Sequence, residues 1–120
     1  MLNLIVIKTK ELERLKCQYE VLGLNFEYHR HGKGPFHYAC EIDQLVFEIY
    51  PLPRSKEKAD DTTRLGFVVT ELDLLLPKLE SSFWKIISMP TDSEWGYSCL
   101  VQDLDGRKVM LTQAEPMQKN

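Results

Sequence analysis

The N-terminal half of the chain reads as short alternating runs interrupted by one stretch of helical spacing. Leu2-Asn-Leu-Ile-Val-Ile-Lys-Thr9 is apolar enough for a strand. Leu12, Leu15, Tyr19 and Leu22 then recur at three- and four-residue intervals, which predicts an amphipathic helix from roughly Lys10 to Leu22. Thr9 is its expected N-cap and Gly23 its expected stop. Three short strands follow, Asn25–His31, Phe36–Ile42 and Leu45–Tyr50. His31-Gly-Lys-Gly-Pro35 supplies one hairpin loop and Asp43-Gln44 a tight turn.

The polar, proline-bounded segment 51–61 reads as a linker, after which the same order of elements returns. A strand is expected over Thr63–Val69, a helix from about Asp73 to Ser81, and strands near Trp84–Met89, Tyr97–Gln102 and Lys108–Gln113. Pro77 fits that helix only near its first turn, because an interior proline costs about 3 kcal/mol. The last hairpins agree most closely: Glu41-Ile-Asp-Gln-Leu-Val-Phe-Glu48 lies over Asp103-Leu-Asp-Gly-Arg-Lys-Val-Met110. The chain is therefore expected to be a single α+β domain of two βαβββ units, one over about 2–53 and the other over about 62–113, with a short C-terminal tail.

Period-two alternation divides each sheet into two faces. Phe47 and Ile49 share one face, as do Leu65, Phe67 and Val69, and Val109 and Leu111; these suit packing against the helices. Glu48, Tyr50, Arg64, Lys108, Met110 and Thr112 fall on the other. That face is either solvated, as is common in antiparallel sheets, or the lining of a pocket.

Composition narrows the function classes. The 120 residues, 43% of them hydrophobic, suffice for one core and are too apolar for disorder. The net charge of −3 and the lack of a concentrated basic run argue against nucleic-acid binding. No apolar run is long enough to span a bilayer, and the N-terminus lacks the basic region and cleavage site of a secretory signal, so a cytoplasmic protein without a membrane partner is expected. Cys17, Cys40 and Cys99 form no CxxC pair and read as reduced, buried small hydrophobes. No serine–histidine–aspartate order, HExxH or phosphate loop is present; His31-Gly-Lys-Gly34 lacks the helix and Lys-Ser/Thr of a P-loop.

The segments Leu2-Asn-Leu-Ile-Val-Ile7, Lys10-Glu-Leu-Glu13 and Tyr19-Glu-Val-Leu-Gly-Leu-Asn-Phe26, with Glu94-Trp-Gly-Tyr97 and Asp103-Leu-Asp-Gly-Arg-Lys-Val-Met-Leu-Thr-Gln113, resemble the vicinal oxygen chelate superfamily. That superfamily holds glyoxalases, bleomycin resistance proteins and extradiol dioxygenases. The resemblance covers roughly residues 2–113 and implies paired βαβββ units forming a cup with outer helices, in a protein that often dimerises. Metal-dependent members hold a divalent ion at four positions on the first and last strands of each unit. Here those positions fall on Leu4, Glu48, Arg64 and Met110. Leucine offers no donor, a guanidinium has no lone pair, and a thioether suits soft metals, so no metal and no other cofactor is expected there. Arg64 is instead expected to pair with Glu48.

With the resemblance, the polar face becomes the expected lining of a ligand pocket. The chain then reads as a metal-independent binder of a small organic molecule, with Glu48, Tyr50, Arg64, Trp95, Lys108 and Met110 as its contacts. Trp95, beside Gly96, is the expected aromatic rim, and Trp84 reads as core. The alternative is a metal-free isomerase or lyase with Glu48 as acid or base; pairing with Arg64 would oppose the raised pKa a base needs. A divalent-metal lyase or dioxygenase retains one family ligand of four. His29 and His31 are expected on one strand face with His37 across the hairpin, which makes a metal site geometrically possible, but exposed hairpin histidines are the commoner arrangement and they are read as such.

Overall fold

The computed structural model describes residues 1–55 and 58–116; residues 56 and 57 of the expected linker and 117–120 of the expected tail lie outside the described residues. The chain forms two units, Met1–Asp61 and Thr62–Asn120. Unit one runs β1 (Leu4–Thr9), α1 (Leu12–Glu20), β2 (Glu27–His29), β3 (His37–Ile42) and β4 (Leu45–Pro51). Unit two runs β5 (Leu65–Val69), α2 (Leu72–Ser81), β6 (Lys85–Ser93), β7 (Gly96–Gln102) and β8 (Lys108–Gln113). Each sheet is four-stranded and mixed, ordered β1-β4-β3-β2 and β5-β8-β7-β6. The first strand of each unit pairs in parallel with the last, and the remaining pairs are antiparallel.

The apolar stripes do what their spacing predicts. Leu15 and Tyr19 of α1 are fully buried against β4, where the Tyr19 and Phe47 rings meet edge to face at 5.4 Å. In unit two Leu72 and Leu79 of α2 are buried, as are Trp84, Val101, Val109 and Leu111. Full burial of each such side chain is worth about 1.5–3 kcal/mol. Cys40 and Cys99 are buried, and burial pushes the Cys99 thiol up to about 11. Cys17 departs from the expectation: it is exposed, because it lies about 100° around α1 from the buried Gln18.

Both helices are tied to their sheets by the same device. The Tyr38 hydroxyl on β3 donates to Glu13 Oε1 at 2.6 Å, and the Tyr97 hydroxyl on β7 donates to Asp73 Oδ1 at 2.7 Å. Each carboxylate is the second residue of its helix. These bonds to charged acceptors hold the Tyr38 phenol at about 12 and also raise that of Tyr97.

Four local expectations change. Thr9 is not the N-cap of α1; Glu11 is, and the Thr9 hydroxyl accepts the Glu11 amide at 3.0 Å, closing the turn before the helix. Pro77 lies inside α2 rather than at its first turn, on an exposed side where the lost hydrogen bond faces water. β2 is only three residues long, and His31 falls in the loop beyond it, where the Gly34 amide donates to the His31 carbonyl. β6 extends to Ser93 through register shifts on either side of Ser88; Pro90, which has no amide to donate, lies in the second irregular interval. Gly23 does end the first helical segment, at φ +99°.

Candidate functional site

The tight turn at Asp43-Gln44 fixes the chemistry of unit one's open face. With Asp43 at φ 54°, it pairs Ile42 with Leu45, so Ala39 meets Glu48 and the next same-face step sets His37 beside Tyr50. The His37 and Tyr50 rings stack at 4.1 Å, 7° from parallel. β2 adds Glu27 opposite Ala39 and His29 opposite His37, and β1 adds Val6 beside Glu48. A two-residue alternation thus delivers carboxylates and imidazoles to one surface while Phe47 and Ile49 go to the helix.

Glu27, His29, Ala39 and Glu48 of this face, with Glu41 and Val46, line an open cleft of about 500 Å³ within unit one. Ala39 and Val46 give it an apolar floor, and Glu27, Glu41 and Glu48 place three carboxylates on its wall. Glu48 is its most sheltered acid, with a side chain 12% exposed, and His37 is 1% exposed. His37 Nε2 stands 3.1 Å from Glu48 Oε2, at ion-pair distance, yet the angle does not make a hydrogen bond and Nε2 has no hydrogen-bond partner among the described residues. On the opposite side of the ring, Nδ1 meets the Pro35 carbonyl at 3.2 Å. Burial, with the Glu48 charge adding to it, raises the Tyr50 phenol above its ordinary value.

The expected contacts divide between the units. Glu48 and Tyr50 come together in unit one, as read from the sequence, with His37 between them. The partner that Glu48 finds there is His37, a histidine the sequence reading left on an exposed hairpin. In unit two Met110 pairs with Gly66, and Lys108 shares its exposed face. Arg64 is exposed, just ahead of β5. Trp95 is 70% exposed at the β6–β7 turn. That turn lies beyond the Thr112 end of β8, so Trp95 and Lys108 stand at opposite ends of the sheet, about 20 Å apart along the strand. The sequence reading missed Glu27, Glu41 and the burial of His37; counting outward from the two-residue turn would have placed Glu41 and His37 beside β4 residues.

The four positions that the sequence resemblance singles out for an ion offer poor donors here. Leu4 is an exposed apolar residue on β1, Arg64 is a cation, and Met110 offers only a thioether, leaving Glu48 as the single carboxylate.

No protein-family model matches the chain, and no curated protein matches it in sequence. Solved structures do. A glyoxalase/bleomycin resistance protein from Albidiferax ferrireducens T118 superposes with a TM-score of 0.72 at 18% identity, over 96% of this chain and 99% of its own. TnmS3, an antibiotic binding protein from Streptomyces sp. CB03234, gives 0.73 at 16% identity over 96% of each chain. The hypothetical protein SA1046 from S. aureus gives 0.71 at 18% identity, over 95% of this chain and 96% of its own. The chain thus has the glyoxalase/bleomycin-resistance fold that the sequence resemblance implies. Among the described residues, no helix is long and apolar enough to cross a membrane.

Proposed function

We propose that this chain, built on the fold of the glyoxalase and bleomycin resistance structures, binds a small organic cation on the open sheet face of unit one. The observation that carries the reading is the roughly 500 Å³ cleft, in which three carboxylates stand over an apolar floor. A pocket with a few convergent polar groups on an apolar base is the usual form of a small-molecule site. The sign of its acidic side chains favours an ammonium, amidinium or protonated heterocycle over an anion. Glu48 is the anchor of this reading, because its sheltered carboxylate gains most from a charged partner. Tyr50, stacked on His37, holds the wall on which the anchor sits. The likeness to an antibiotic binding protein supports binding over catalysis.

Binding in this reading needs no metal at Leu4, Glu48, Arg64 and Met110. The test is a thermal-shift screen of organic cations and their uncharged analogues with a chelator present. The expected result is stabilisation by a subset of cations and none by the matched neutral compounds. Stabilisation by anions alone would overturn the reading.

A further inference from the structure

Three imidazoles converge at one end of this cleft. His29 ends β2, His37 opens β3 directly opposite it, and His31 follows in the connecting loop. One nitrogen from each lies within 4.8 Å of the other two. The His31 ring is 5.0 Å from that of His37 and 5.9 Å from that of His29. We propose that His29, His31 and His37 form a binding site for a first-row divalent transition-metal ion, with the Glu48 carboxylate as fourth ligand. The proposal goes beyond organic-cation binding and does not depend on it.

The protonation of His37 is the first argument. The Pro35 carbonyl can only accept, so Nδ1 carries the proton that meets it. In the neutral ring Nε2 then holds a lone pair, 3.1 Å from a carboxylate oxygen that also only accepts. Two acceptors at that distance repel unless a proton or a metal cation lies between them. The contact lacks the geometry of a hydrogen bond, and Nε2 is buried without another partner among the described residues. A metal ion supplies what both atoms lack. The backbone carbonyl on Nδ1 is also the outer partner that orients metal-binding histidines.

His29 repeats the arrangement. Its Nε2 lies 2.9 Å from Glu27 Oε2, an acceptor, which fixes the proton on Nε2 and leaves the lone pair on Nδ1. A carboxylate behind an imidazole raises its basicity toward a metal.

Distances provide the second argument. Ligands at tetrahedral zinc, about 2.0–2.1 Å from the ion, stand about 3.3–3.4 Å from one another. The His37–Glu48 separation of 3.1 Å is already near that edge. Glu48, which stands outside the histidine cluster, must turn toward it, and the histidine pairs must close by up to about 1.5 Å. Ring rotation can supply this, most easily at His31, which is exposed and lies outside the strands. Three imidazoles and one carboxylate suit zinc, cobalt or nickel better than magnesium or calcium. The ion would also clip the short β2 hairpin to β4.

The experiment titrates zinc sulfate into the full chain, prepared without an affinity tag and freed of metal by chelator, with elemental analysis for stoichiometry. Cobalt substitution reports the coordination number through its visible spectrum. One ion per chain is expected, with a four-coordinate cobalt spectrum. His31→Asn should raise the zinc Kd about 100-fold, and Glu27→Gln, at the carboxylate held by His29 Nε2, about 10-fold. His31 is exposed, so its variant should keep the wild-type circular dichroism. No saturable uptake, or uptake at unchanged affinity in a folded His31→Asn variant, would overturn the proposal. Organic-cation binding is measured separately under chelator, so either reading can fail without the other.

Discussion

Where the first strand of each unit meets the last, unit one sets Val6 beside Glu48 and unit two sets Gly66 beside Met110. The strand order, the parallel pairing and the tyrosine clamp on the helix are the same in both. What differs is the load on the open face. Unit one carries Glu27, His29, His37 and Glu48 there, whereas unit two carries Val68, Met110 and Lys108. The hairpins before the last strands differ too. Unit one turns in two residues, while unit two uses Asp103–Arg107, with Arg107 fully buried between Asp103 at 3.2 Å and Asp105 at 3.1 Å. Unit two has its buried charges in a structural turn, and unit one has its sheltered acid in a cleft. The repeated backbone therefore does not repeat the side chains on its open face.

The largest effect should come from breaking that turn. Burial works to lower the Arg107 pKa, but Asp103 and Asp105 outweigh it and hold it above its ordinary value. Arg107→Ala strands buried carboxylates and should cost about 3–5 kcal/mol in chemical denaturation. Leu45, at the aligned position in unit one, is half-buried, and Leu45→Ala should cost only about 1–2 kcal/mol. Equal costs would show that the two turns are not built on different physics.

The next effect concerns the open faces. Glu48→Gln should weaken organic-cation binding by about 2 kcal/mol, roughly thirtyfold by calorimetry, and Met110→Gln should leave it unchanged. The opposite result would move the site to unit two.

The fold and half of this contrast were legible in the sequence. The repeat, the helix stripes and the alternation gave both sheets, because burial of one face enforces period and register. Glu48 and Tyr50 were placed on one face for the same reason. The burial of His37 was not visible, since it depends on a ring stack with Tyr50 and on β2 closing over it. Thr9 and Pro77 were misplaced by one turn or less, where weak local preferences yield to packing. Trp95 and Lys108 were both read as contacts of one pocket, but only the β7–β8 register shows that they sit at opposite ends.

The tyrosine clamps should be alike. Tyr38→Phe and Tyr97→Phe should each cost about 1 kcal/mol. A phenol whose folded pKa is raised contributes stability that is fully present below its unfolded value, about 10, and lost as pH climbs through the folded one. For Tyr38 that loss should run from about pH 10 to about 12 and vanish from the denaturation profile of Tyr38→Phe. The smallest effect should be Trp95→Ala, within about 0.5 kcal/mol in stability and silent in cation binding.

The central claim is that recognition belongs to the open face of unit one. Nitrogen-15 amide shift mapping, with a cation from the chelator-containing screen as the titrant, tests it most directly. The account predicts saturable shifts centred on Glu27, His29, Ala39 and Glu48, lost in Glu48→Gln. Shifts centred on Gly66, Leu100 and Met110, persisting in Glu48→Gln, would contradict it.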